Sequence, residues 1–183
     1  MMRIVDYRAA VVEAIKAKLP DLRECRPYGG RFDLTELKNI SAQTPAVFVA
    51  VLRSGSNETH GDGRRTVLLN MGAYILTTDS KDHDRDVTAL NLCEILQGWI
   101  PHQRFNIPNC ADAEDVRWAN LYSGNVRGQA IALMAVTWQQ LLVIGDPENQ
   151  EADPPVPATV WLGCAPNIGL GHEQDYVKVT ANG

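Results

Sequence analysis

Residues 129–144 constrain this chain more than any other stretch, because Met134, Val136, Trp138, Leu142 and Ile144 all fall on its even-numbered positions. A two-residue period places them on one side of a long β-strand. Length alone also allows a helix, but the preceding residues favour a strand. Over 115–123, Val116, Trp118 and Tyr122 alternate with Arg117, Ala119 and Leu121, and Gly124-Asn125 then offers a turn. Two antiparallel strands are therefore expected, with Trp118 and Trp138 on core faces.

The rest of the chain supplies a sheet for them to join. Val5, Ala9, Val12, Ile15 and Leu19 recur at helical steps before Pro20, which predicts an amphipathic helix over 5–19. A short strand is expected over 22–28, followed by a glycine break at Gly29-Gly30 and a capped helical turn at Asp33 to Leu37. The apolar, β-branched run 46–52 reads as a buried strand, and 66–78 as its partner. Between them, 53–65 carries Gly55, Gly61 and Gly63 among polar residues and reads as a long hairpin tip. Ala89, Leu92, Cys93, Leu96, Trp99 and Ile100 form one broad face of a helix over 82–99, with Asp79-Ser80 as its cap and Pro101 as its stop.

The predicted fold class is α+β: a mainly antiparallel sheet with helices packed on one face, over residues 1–145. From 146 the composition changes, with Pro147, Pro154, Pro155 and Pro157 among acidic and amide residues. Residues 146–183 are expected to form a proline-rich linker and an extended C-terminal arm. Val160, Trp161, Leu162 and Tyr176 give that arm apolar groups that need a surface to cover.

With 183 residues and 45% apolar content the chain can bury a core without disulfides or metal. Cys25, Cys93, Cys110 and Cys164 are scattered, with no C-x-x-C pair, and read as reduced, buried small hydrophobes. The opening residues carry no signal-peptide pattern and no stretch reaches the length of a membrane span, so a cytoplasmic protein is expected. A net charge of -5 with only scattered basic pairs argues against sequence-specific nucleic-acid binding.

A search for chemistry finds weak candidates. Asp82, His83 and Asp86 could hold a divalent metal at helical spacing, but acidic residues in the first turn of a helix also stabilise it against the macrodipole. His60 lies in a polar tip without a defined partner, and Ser56 lacks the G-x-S-x-G turn of a nucleophile. Cys93 sits among Leu92, Ile95 and Leu96 and reads as core. Gly169-Leu170-Gly171 lacks the remainder of a phosphate cradle. The expectation is a protein that is not an enzyme and takes no cofactor.

The element order, with Pro45-Ala46-Val47-Phe48-Val49 and Ala135-Val136-Thr137-Trp138-Gln139-Gln140, resembles the tail-terminator proteins of Mu-like contractile-tailed phages and prophages. The resemblance covers about residues 2–145. It implies an α+β subunit of a homo-hexameric ring on the head-proximal end of the tail tube, made in the bacterial host cytoplasm and carried in the virion tail. Such a ring stops polymerisation of tube and sheath and meets a neck or head-completion protein. A negative charge suits a passage for DNA. Arg53, His60, Arg64 and Arg65 in the tip, and Trp161, Leu162 and Tyr176 in the arm, are the expected subunit or tail contacts. A head-completion or neck adaptor, or a small metal-dependent enzyme, are the alternatives.

Overall fold

The computed structural model describes residues 2–30, 42–81, 83–126, 128–146, 160–162, 171, 174 and 177–179. The helical turn expected at Asp33 to Leu37, together with Cys164 and Tyr176, lies outside the described residues. The chain divides into two units, Met1–Glu148 and Asn149–Gly183.

Among the described residues the first unit is α+β, with one mixed, mostly antiparallel sheet and two helices. Its elements are α1 (Ile4–Lys18), β1 (Glu24–Pro27), β2 (Ala46–Thr59), β3 (Arg65–Thr78), α2 (Arg85–Trp99), β4 (Glu114–Val126) and β5 (Gln129–Ile144). The sheet order is β1-β2-β3-β5-β4, and only β1 and β2 run parallel. The alternation read in β5 is real, because Met134, Val136, Trp138 and Leu142 are all buried on one face.

Both helices cover that face. Tyr7, Val11, Val12 and Ile15 of α1, and Ala89, Cys93 and Leu96 of α2, pack with Val47, Val49, Leu69, Met71 and Ile75 of the sheet. The opposite face buries Phe48, Ala50, Tyr74, Leu76, Ile131 and Leu133. Burial on both sides is why 46–52 reads as a continuous apolar run.

Several sequence expectations change. The buried stripe of α1 runs through Tyr7 and Val11, while Val5 is half exposed. The stripe turns because Tyr7 has a buried polar partner on β5, Gln140. Helix α2 starts at Arg85, with Asp84 as its cap: the Asp84 side chain accepts from the backbone N–H groups of Asp86 and Val87 at 2.8 and 3.1 Å. Asp79 instead accepts from Arg85, at 3.0 Å from its backbone N–H and 2.7 Å from its guanidinium.

The tip expected over 53–65 is mostly strand. Pairing continues from Arg53↔Asn70 to Thr59↔Arg65, interrupted by one register shift between Ser54 and Asn57, which leaves a turn only at residues 60–64. Backbone pairing to β3 holds this polar stretch straight, and side-chain polarity does not prevent it. Gly124-Asn125 likewise stays inside β4, and the reversal uses Gly128 at φ +81°.

The connection from α2 to β4 is part of the core, with Phe105, Ile107, Cys110 and Ala113 buried. Four non-glycine residues of this stretch, His102, Phe105, Asn106 and Asn109, have positive φ, and Asp115 in β4 makes a fifth. The second unit contains a short antiparallel pair, β6 (Val160–Leu162) and β7 (Val177–Val179).

Candidate functional site: surfaces for assembly

The hairpin turn brings three of the expected contact residues together. The His60 backbone N–H donates to the Arg64 carbonyl at 2.8 Å, and Gly63 donates back to His60 at 3.0 Å. The His60 ring nitrogen Nε2 is 2.7 Å from Thr66 Oγ1. Asp62 accepts from the Arg64 backbone and guanidinium, at 3.1 and 2.7 Å. The backbone hydrogen bond, with the guanidinium beside it, holds the Asp62 carboxyl below its usual range. Arg65 opens β3 with an exposed side chain.

Arg53 is not part of this group. It pairs with Asn70 inside the sheet, six residues before Thr59 and thus about 20 Å down the strand. There it lines a cleft with Asn70, Asp115, Thr137 and Gln139. Trp161 pairs with Lys178 in the β6–β7 ladder, and Leu162 is exposed.

Sequence reasoning missed a second surface, along the β4 edge. Trp118 is 44% exposed, although its partner Val136 is buried. An edge strand is covered only on the side where α2 reaches it, and no described strand pairs with the outer side of β4. Leu121, at a register shift, is 45% exposed.

Helix α2 carries further exposed apolar residues beside this edge. Ser123 Oγ donates to Asp86 Oδ1 at 2.8 Å, which ties the start of α2 to β4. Val87 follows Asp86, and Leu90 lies one turn on along the same side; both are exposed. Two apolar residues on the outer arc of an amphipathic helix were the readable signal. On the opposite face of β4, Arg117 and Asp115 pair at 2.6 Å.

The candidates for chemistry separate. Asp82 lies outside the described residues, Asp86 is engaged with Ser123, and His83 is exposed beside Ser80. Among the described residues no group of three His, Cys, Asp or Glu side chains could hold a metal. Cys25, Cys93 and Cys110 are free and buried, and burial pushes each thiol up to about 11. No described helix is long and apolar enough to cross a membrane. No protein-family model matches the chain, and no curated protein matches it.

Proposed function

We propose that this chain is a structural subunit of a contractile phage or prophage tail, a terminator that assembles as a hexameric ring at the head-proximal end of the tube. In that position it halts polymerisation of tube and sheath and offers a surface to the neck or head-completion protein. The observation that carries the reading is the β4 edge, a 13-residue strand whose outer side no described strand pairs, with Trp118 and Leu121 exposed, and with Val87 and Leu90 exposed on the helix whose start is tied to it. A long open edge bearing large apolar groups invites pairing or packing with another chain. The turn at 60–64, rimmed by His60, Arg64 and Arg65, provides a polar contact of a different kind. The reading assigns the chain no reaction and no cofactor.

The experiment is the solution mass of the purified chain over a wide concentration range, combined with imaging of tails assembled with and without it. The reading expects association towards a hexamer and a ring on tube ends that fixes tube length. A stable dimer or tetramer, whose closed symmetry does not match a six-fold tube, would overturn it. A protein that restores defective heads and leaves defective tails unchanged would be a neck adaptor instead.

A further inference from the structure

Two β-bulges shape the face of the sheet opposite α1 and α2. Strand β2 pairs Val51 with Met71 but Arg53 with Asn70, so Leu52 is an extra residue between them. In unbroken register Arg53 would oppose Leu69, which is fully buried on the helix side; the bulge moves it to Asn70, on the other face. Strand β4 gains one residue between Glu114 and Arg117, where Asp115 adopts a left-handed φ of +51°. The two bulges flank the regular β3–β5 pair and border one cleft of about 300 Å³.

The register lays a polar row across this face: Arg53 opposes Asn70, Asn70 opposes Gln139, and Gln139 opposes Glu114. Neighbours in the row stand about 5 Å apart. Asn70 Nδ2 is buried without a hydrogen-bond partner, a costly state for an amide donor. Among the described residues Arg53 and Gln139 have no side-chain hydrogen bond or ion pair, whereas Asp115 is matched by Arg117 at 2.6 Å. Leu52 packs down where Gly72 leaves room, since a Cβ at 72 would come within 3.1 Å of its Cδ1. Glu114 ends the row three strands from Arg53, about 14 Å away. That exceeds the roughly 8 Å over which exposed charges act at physiological salt.

We propose that the Arg53 end of this row binds a carboxylate, with the guanidinium as its ion-pair partner, Asn70 Nδ2 as a second donor and Leu52 against its apolar body. One unpaired guanidinium balances one negative charge, and its planar fork matches the two oxygens of a carboxylate. A doubly charged phosphate would keep an unbalanced charge on the side of Asp115 and Glu114. Asn70 lines the cleft, and its broad χ2 torsion lets the amide turn to meet a bound oxygen. Two sources present this group, a free monocarboxylic acid and an Asp or Glu side chain of a second copy, and the test separates them.

The test follows the side-chain amide resonance of Asn70 in the full chain, labelled at asparagine nitrogen, during titration with sodium butyrate. A saturable shift is expected, absent with sodium chloride at equal ionic strength and with butylammonium chloride. Read by calorimetry, Arg53→Gln should weaken butyrate binding about ten-fold or more, and Arg53→Lys should recover part of it. Asn70→Leu should also bind more weakly, yet unfold at an equal or higher temperature, because it removes an unpaired buried donor. An amide that only supported the fold would lower that temperature on removal. Where a neighbour supplies the carboxylate, the Asn70 resonance moves with protein concentration alone and Arg53→Gln lowers the solution mass; where the ligand is free, it moves with butyrate at constant mass. The proposal is overturned if butyrate acts no differently from chloride, or binds Arg53→Gln as tightly as the native chain, and dilution leaves the resonance in place. The ring reading fails separately, through a dimeric or tetrameric mass, while butyrate binding persists.

Discussion

The Tyr7 hydroxyl of α1 donates to Gln140 Oε1 of β5 at 2.6 Å, across 133 residues of sequence and inside the core. Gln140 is 1% exposed, and its remaining capacity is fully used. Trp138 Nε1 donates to the same oxygen at 3.2 Å, while Gln140 Nε2 donates to the carbonyls of Gln103 and Ala111 at 2.8 and 2.6 Å. One side chain thereby fastens a helix, a strand and the buried connection that follows α2. Burial pushes the Tyr7 hydroxyl far above its usual range, so it remains a donor at any ordinary pH.

Gln140→Leu would leave two donors and two carbonyls without this partner. A loss of about 2–4 kcal/mol in unfolding free energy is expected. Tyr7→Phe, which removes a single donor, should cost about 1 kcal/mol. Urea denaturation followed by tryptophan fluorescence measures both, and equal losses in the two variants would contradict the hub.

Asp84→Ala removes the side-chain acceptor of the Asp86 and Val87 N–H groups at the start of α2. The expected cost is about 1 kcal/mol, read as a lowered midpoint in thermal unfolding. Ser80→Ala, at the cap position the sequence suggested, should cost less, because its hydroxyl bonds only within the turn that precedes the helix.

These two sites show what could be read before the fold was known. The length and alternation of β5 were legible because one face is almost wholly apolar, and the core face of α2 was legible through Ala89, Cys93 and Leu96. The hub was not: a glutamine between Gln139 and Leu141 has no local mark that distinguishes it from a solvated one. The α2 cap was misplaced because Asp79, Ser80 and Asp84 all suit the role, and tertiary context chose among them. In the candidate contact surface, Arg53 and His60 read as one loop because composition alone marks 53–65, while pairing to β3 separates them along a strand. Trp118 was expected on the core face since alternation identifies a side of the sheet but not whether a helix covers it.

The three buried thiols give a pH dependence. Their ordinary value is 9.0, and burial raises each to about 11 in the folded chain. Between those values the unfolded chain loses protons that the folded chain keeps, so stability falls as pH rises. The contribution is intact below pH 9.0 and is lost on passing about 11. Unfolding midpoints across this window should decline, and a Cys25→Ala/Cys93→Ala/Cys110→Ala variant should decline less steeply. An identical slope in that variant would assign the effect to other groups.

At the β4 edge, Trp118→Ser with Leu121→Ser should weaken self-association about ten-fold or more while changing unfolding free energy by under about 1 kcal/mol. Light scattering reads the first and denaturation the second. If association is untouched, the exposed strip is not a contact between subunits.

The ladder between β3 and β5 runs without a register shift from Arg65↔Ile144 to Thr78↔Ile131. Force applied along these strands, from the hairpin turn at one end to Thr78 at the other, would load their cross-strand hydrogen bonds in shear. Such bonds yield together rather than one at a time. Amide hydrogens along this pair should therefore exchange last, through global unfolding rather than local opening. The long axis of the sheet is the direction in which the subunit best resists being stretched.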